Sequence, residues 1–378
     1  MNNIKRTFIF SKRLKEAWVK MEHNERVSPS MYLSFMQYVR WQNYLLARIP
    51  VFYYAEDEEH EIVLIAPMSY SLVTRKYNTL GDIGQCGIAD FLYHQKLSES
   101  EQKKAVLSLA EYIGTGFRLS KIPSESITIA ALEGISRTIA KRDNVIIHLE
   151  ENYHDNIARL SRSVRQNLRT AYNRLERDGK SYRLEVHYGS MADARKMRTE
   201  ILDCYENRQL YSYSKKMKWL RFEYHKIGMK YFRHDKFSLF GNENSVQVAL
   251  YIDGKVAGMY AGVLNHRKDC ILVPRLAINM DYKFYSPGYV MLCESFKYFL
   301  SNTSIRNIDL SVGSEQYKLD LGGIMYSTEI VECCAFPRKS ITLHHQTHNP
   351  HIGSSLLDPV CKCTVYGQYY RTASMSIS

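Results

Sequence analysis

No run of this chain approaches the roughly 20 apolar residues that a membrane-crossing helix needs, so no spanning segment is expected. The opening stretch mixes Lys5, Arg6, Lys12, Arg13 and Lys15 with short apolar pieces. It lacks an unbroken apolar core and a small-residue cleavage site, and so does not read as a secretory signal. No G-x-S-x-G elbow is present, which removes the local signature of a nucleophilic serine triad. No Walker-type phosphate loop is present either, which argues against an ATPase. The eight cysteines, at 86, 204, 270, 293, 333, 334, 361 and 363, are scattered, several of them inside apolar patterns. That reads as reduced thiols rather than a disulfide framework, and the expected location is the cytoplasm.

What remains is a chain of 378 residues, comfortable for two domains. Apolar residues make up 45%, enough for packed cores. The 29 tyrosines suit wet clefts as well as strands, since each joins an apolar ring to a hydroxyl. Lys plus Arg exceeds Asp plus Glu by 51 to 39, a formal net charge of +12 that attracts polyanions: nucleic acid, anionic membrane or a phosphorylated cofactor.

Residues 1–155 read as mixed α and β. A strand is expected over 7–10, helices over 14–21 and 31–46, and a hairpin from 51–54 and 62–68 around the acidic turn 56–61. A helix over 99–114, strands over 127–131 and 145–149, and a helix over 133–142 complete this half. Residues 156–179 then form a strong helix. Leu160, Val164, Leu168, Ala171 and Leu175 mark its apolar face, and Gly179 is its stop. Beyond it come a strand over 183–188, helices over 192–210 and 215–232, and strands over 237–240, 245–252, 255–264 and 270–278. Asp253-Gly254 signals a tight hairpin between two of them. The order closes with a helix over 287–300, a strand over 305–310, a short helix over 315–319 and a strand over 325–336. Residues 341–378 read as an irregular extension. Its His344, His345, His348 and His351, with Cys361 and Cys363, approach metal-ligand spacing. Pro350 and Gly353 argue against the helix that would align them, and no zinc signature matches, so no metal is expected.

The segment from Tyr285 to Gly323 carries the chemistry. Ser286 is suited to cap the following helix and Pro287 to open it. Gly288 leaves the backbone unshielded, so the amides near Gly288, Tyr289 and Val290 would face outward at a positive helix end, an arrangement that binds phosphate. The bland alternative is an ordinary helix start. Next, an apolar strand ends at Asp309 and passes Gly313 into a polar segment, where Asp309 and Glu315 are candidate bases, Tyr317 a proton donor and Lys318 an anion ligand. The alternative there is a capped turn with solvated charges. In the basic helix, Arg165, Arg169 and the interleaved Tyr172 are candidate substrate contacts, against the commoner solvated face.

The string SPGYVML, then IDLSVG, then SEQYKLDLGG resembles the acetyltransferase-like domain of the CelD/BcsL cellulose-biosynthesis-associated group of the GNAT superfamily, itself related to Fem-type peptidyltransferases. RSVRQNLRTAYNRLERDG resembles the basic helix ahead of that domain. The likeness covers roughly residues 156–336 and is looser before them. It implies an α/β (α+β) fold of two tandem GNAT-like halves, 1–155 and 156–340, each a mixed, mostly antiparallel sheet flanked by helices. It also implies acyl-CoA as donor, held beside Ser286–Gly288, and an amine or hydroxyl acceptor in a small molecule, sugar or cell-envelope precursor. Tyr317 falls where many GNAT enzymes keep a proton-donating tyrosine. The glycine-spaced phosphate loop usual in that superfamily is missing: residues 281–285 supply only Lys283 and aromatics. A Fem-like transferase using aminoacyl-tRNA and a catalytically silent binding module are the rival readings.

Overall fold

A computed structural model describes residues 3–82, 87–190, 195–214 and 243–334. The expected elements at 215–232 and 237–240, and the histidine-bearing tail, lie outside these residues. The strands are β1 (Asn3–Thr7), β2 (Arg48–Glu56), β3 (Ile62–Ser71), β4 (Tyr77–Thr79), β5 (Leu92–Tyr93), β6 (Phe117–Pro123), β7 (Ser136–His148), β8 (Tyr182–Tyr188), β9 (Ser245–Ile252), β10 (Lys255–Leu264), β11 (Cys270–Ile278), β12 (Asn307–Val312) and β13 (Ile324–Cys333). The helices are α1 (Lys12–Glu22), α2 (Leu33–Leu45), α3 (Glu99–Ile113), α4 (Ile127–Ala131), α5 (Tyr153–Arg159), α6 (Arg162–Arg177), α7 (Arg195–Ser214), α8 (Pro287–Asn302) and α9 (Gln316–Asp320).

All strands join one mixed, mostly antiparallel sheet in the order β1-β2-β3-β4-β6-β13-β7-β12-β11-β10-β9-β8, with β5 beside β3. Helices cover both faces. In the second half α6 and α8 pack their apolar stripes on one face, while α7 covers Ala249, Met259 and Ala277 on the other. In the first half α3 packs on one face, and α1 and α2 cover the other around the fully buried Trp18.

The last strands of the two halves are interleaved. β7, which ends the first half, bonds to β12 of the second. β13, which ends the second half, bonds to β6 of the first. The two pair antiparallel with each other from Ile324↔Ile146 to Cys333↔Ser136. This ladder explains one departure from the sequence reading. Residues 133–142, expected as a helix, are mostly strand. They pair with β13 along their length, and Arg137 and Lys141 form ion pairs with Glu332 and Glu329 across it. Residues 127–131, expected as a strand, are the helical turn α4. Asp90 accepts hydrogen bonds from the Ser126 and Thr128 hydroxyls, and Ser126 caps the turn. The first strand lies at Asn3–Thr7 rather than 7–10. The long basic helix breaks at Leu160, and Ser161 caps the second piece.

Two local features open the sheet. The Asp253-Gly254 turn has positive φ at both residues, 48° and 76°, as a tight hairpin requires. In β11, Leu272 pairs with Val263 and Arg275 with Ala261, so Val273 and Pro274 bulge opposite Gly262. A Cβ on Gly262 would lie 2.5 Å from the Leu272 carbonyl oxygen, so only glycine lets the strands approach there. Pro274 has no amide to donate. β11 and β12 run parallel and pair only over Cys270↔Asn307, Ile271↔Ile308 and Leu272↔Asp309. Beyond that the two strands continue without pairing with each other, so they form a fork with Asp309 and Leu272 at its vertex.

Candidate active site

Successive strand residues point to opposite faces. On β12, Ile308 and Leu310 join the cluster under α6 and α8. Asp309 therefore faces the other side, where α7 packs. It is 7% exposed. Its Oδ1 accepts from the Ser311 amide at 2.7 Å and its Oδ2 from the Tyr326 hydroxyl at 2.7 Å. Tyr326 belongs to β13, two strands away, and its side chain reaches over β7 to make this bond. Burial pushes the Asp309 carboxyl above its ordinary value, while Tyr326, Ser311 and Lys318 pull it back. Burial beside Asp309 drives the Tyr326 phenol far above its own, so it stays protonated. The neighbouring Cys270 thiol is pushed up to about 12 by burial first and by Asp309 second, which makes it a poor nucleophile. Arg275 is 8% exposed and lies 4.9 Å over the Tyr205 ring of α7. Gly87, from the first half, approaches Ser311 and Leu272.

The helix start lies on the other face. Pro287 opens α8 as expected, but Ser286 adopts a left-handed conformation, φ 48°, and makes no side-chain cap. The amides of Tyr289 and Val290 both donate to the Ser286 carbonyl, at 3.1 and 3.3 Å. Of the three amides expected to face outward, this leaves only that of Gly288 without such a bond. Tyr289 and Tyr317 pack against the α6–α8 cluster. Burial, then Glu315 and Tyr289, raises the Tyr317 phenol well above its ordinary value. Tyr317 and Asp309 thus stand on opposite faces of the fork rather than side by side.

Lys318, expected as an anion ligand, turns its ammonium into the protein. It is 4% exposed, and its ammonium donates to the carbonyls of Leu310, Val312 and Gly313 at 3.1, 2.9 and 3.0 Å. Three donors meet three acceptors, so none is left for a phosphate. Glu315 closes over this knot at 2.9 Å from the ammonium, and its carboxylate occupies the space a side chain on Gly313 would need. An exposed, ion-paired Glu315 is a weaker base candidate than Asp309.

On α6, Arg165 donates to the Ala158 carbonyl at 2.6 Å and ties α5 to α6. Arg169 is exposed and has no hydrogen-bond or ion-pair partner among the described residues. Tyr172 is half-buried and donates to Glu294 of α8 at 2.5 Å. Tyr326 had no local signal in the sequence: its place depends on β7 lying between β12 and β13. Ser311 and Arg275 were missed for the same reason.

Residues 162–319 match the family model described as an acetyltransferase (GNAT) domain. No curated protein sequence matches it. Among solved structures, a conserved protein of unknown function from Bacteroides thetaiotaomicron is similar at 13% identity and TM-score 0.55, over 88% of this chain and 100% of that one. A tandem GNAT protein from the clavulanic acid biosynthesis pathway matches at 10% identity and TM-score 0.47, over 89% and 99%. L-PGS from Bacillus licheniformis matches at 12% identity and TM-score 0.44, over 77% and 86%. At these identities the likeness concerns the fold. Among the described residues no helix is long and apolar enough to cross a membrane.

Proposed function

We propose that this acyltransferase moves an acyl group, most simply acetyl, from acyl-CoA to an amine or hydroxyl, with donor and acceptor meeting from opposite faces of the β11–β12 fork. The observation that carries the reading is the buried Asp309 carboxylate at the fork's vertex, held by Tyr326. The donor's pyrophosphate lies beside Ser286, Pro287 and Gly288, and its thioester reaches the fork past Tyr289 and Tyr317. The acceptor enters on the Asp309 side. Its nucleophilic atom bonds to the thioester carbon while its proton passes to the Tyr326 oxygen, and the Tyr326 proton passes to Asp309 Oδ2. The C–S bond then breaks and CoA leaves as a thiolate, which the Tyr317 hydroxyl, held protonated, steadies by a hydrogen bond; solvent supplies the sulfur's proton, and Asp309 returns to solvent the proton it took from the acceptor. Amides at the strand ends stabilise the oxyanion. A cytoplasmic setting supplies such donors, and a sugar or other cell-envelope precursor is the acceptor class that the CelD/BcsL resemblance favours.

The test is release of free CoA thiol from acetyl-CoA with candidate acceptors. Asp309→Asn and Tyr317→Phe should each depress it; full activity in both removes this assignment. A Fem-like use of aminoacyl-tRNA is the second reading, supported by the exposed Arg169, whose guanidinium has no partner among the described residues, on a chain of net charge +12. It requires tRNA binding that weakens steeply with salt, and absence of binding at low salt excludes it.

A further inference from the structure

The face of the sheet that carries Asp309 continues as an apolar floor over three strands. Paired residues of neighbouring antiparallel strands share a face. Asp309 pairs with Ile146 of β7, and Ile146 pairs with Ile324 of β13, so the three stand in one row. Tyr326, two residues along β13, lies on the same face, as its bond to Asp309 shows. Val312 belongs there too, although it follows Asp309 by three residues and a regular strand would turn it the other way. The ladder explains this. Asp309 pairs with Ile146 but Val312 with Asn144, so β12 takes three steps where β7 takes two. That extra residue is a bulge, a device that re-aims a side chain. Within it Ser311 adopts a left-handed φ of 59°, a strained state for a residue with a side chain, and its amide is held by Asp309 Oδ1.

The result is a buried carboxylate bordered by open apolar surface. Asp309 is 7% exposed, whereas Val312 and Ile324 are 41% and 49% exposed, and Ile146 and Tyr326 are half-buried. Asn144, which pairs with both Val312 and Tyr326, is fully buried, so the surface there belongs to those two. The floor ends along β7 at His148, whose ring is held by Asn307 at 2.6 Å. No lysine or arginine stands in these rows. Arg275, on the same face farther along β11, is buried against the Tyr205 ring. Beside Asp309 the rows therefore offer aliphatic contact and no fork to grip a phosphate or carboxylate. Given the reading that the acceptor enters on the Asp309 side, on which this rests, we infer that the acceptor carries its amine or hydroxyl on an apolar group, which lies on Val312, Ile146 and Ile324 while the nucleophilic atom reaches Asp309. Val312 and Ile324 are then specificity-determining residues of the transfer.

Propylamine, pentylamine and heptylamine test this in the full chain with acetyl-CoA. An open floor covers one side of an alkyl chain, so kcat/KM should rise roughly fourfold from each amine to the next. Val312→Ser with Ile324→Ser should flatten that progression, and Ile324→Val should keep most of it. Both positions are exposed strand ends, so an unmoved melting temperature checks that the fold is kept. Calorimetry with the amines alone reads the same progression as affinity. A progression in affinity without thiol release defeats the acyl-transfer reading and supports this inference. Equal kcat/KM and equal affinity along the series overturn it, as does a progression that the double substitution leaves intact, or glucosamine outperforming heptylamine. A wild-type dimer, seen by sedimentation, that the double substitution dissolves in the absence of any progression also overturns it: the floor would then serve a second copy of the chain.

Discussion

Replacing Lys318 by Met keeps the length and apolar stem of the side chain and deletes only the ammonium. In the folded protein that ammonium holds the carbonyls of Leu310, Val312 and Gly313 at 3.1, 2.9 and 3.0 Å with 4% of the residue exposed. A hydrogen bond from a charged donor is worth about 1.5–3 kcal/mol net, and an acceptor stranded in the interior costs about 1–3 kcal/mol. Val312 lies partly open to solvent, so water recovers part of the loss there. Counting the equivalent of two bonds gives a destabilisation of about 3–6 kcal/mol. For a chain of this size that lowers the melting temperature by roughly 4–7 °C. Differential scanning calorimetry measures it, with Lys297→Met, an exposed position on α8, as the control that should not move. Lys318→Arg should fall between, since a planar guanidinium does not aim three protons at three converging carbonyls. An unchanged melting temperature in Lys318→Met, together with lost affinity for CoA, would refute this reasoning and restore an anion-binding role.

Tyr326→Phe removes a bond that lowers the Asp309 pKa, so the acid limb of the pH–rate profile should move to higher pH and the transfer rate should fall about 10²-fold; an unmoved limb would separate Tyr326 from the reaction. Gly262→Ala drives a Cβ to 2.5 Å from the Leu272 carbonyl oxygen and should cost about 3 kcal/mol in chemical denaturation. Glu22 is raised to about 7 by burial. A carboxyl raised on folding favours the folded state below its unfolded value, near 4.5, and that advantage is lost as pH climbs through about 7. The neighbouring His266 is lowered by burial and acts in the opposite sense below its own unfolded value. The difference between wild type and Glu22→Gln therefore isolates the carboxyl: the variant's stability should fall less between pH 5 and 8, and parallel curves would contradict the assignment.

Where the fold rests on local pattern, the sequence was legible. β9, β10 and β11 and their Asp-Gly turn occupy the expected residues, because each apolar run is bounded by polar or glycine turns. The helix opening at Pro287 and the 99–114 helix with its Gly114 stop follow from capping chemistry, and Gly114 does adopt a positive φ of 65°. Where structure rests on distant partners, the sequence misled. Residues 136–148 are mostly exposed and polar in their first eight positions, and only the β13 ladder makes them a strand. α4 reads as β-branched strand until Asp90, 36 residues earlier, ties down Ser126. The same division runs through the site. Asp309 stood out as a carboxylate closing an apolar strand, whereas Tyr326 becomes its partner only through strand order. Lys318 looked like an available cation because no sequence pattern reveals three carbonyls converging on one ammonium.

The interleaving of β7 and β13 governs how this protein is made. Thr138 and Glu329, bonded across that ladder, are separated by 191 residues. While the chain is being synthesised, β6 and β7 have open edges awaiting β12 and β13 from much later in the sequence, and β13 leaves the ribosome last among them. Neither half can finish its sheet early, and such long-range closure is slow. Unpaired edges are templates for association with other chains. Aggregation during translation, rather than the stability of the finished protein, is therefore the step most exposed to substitutions in β7 and β13.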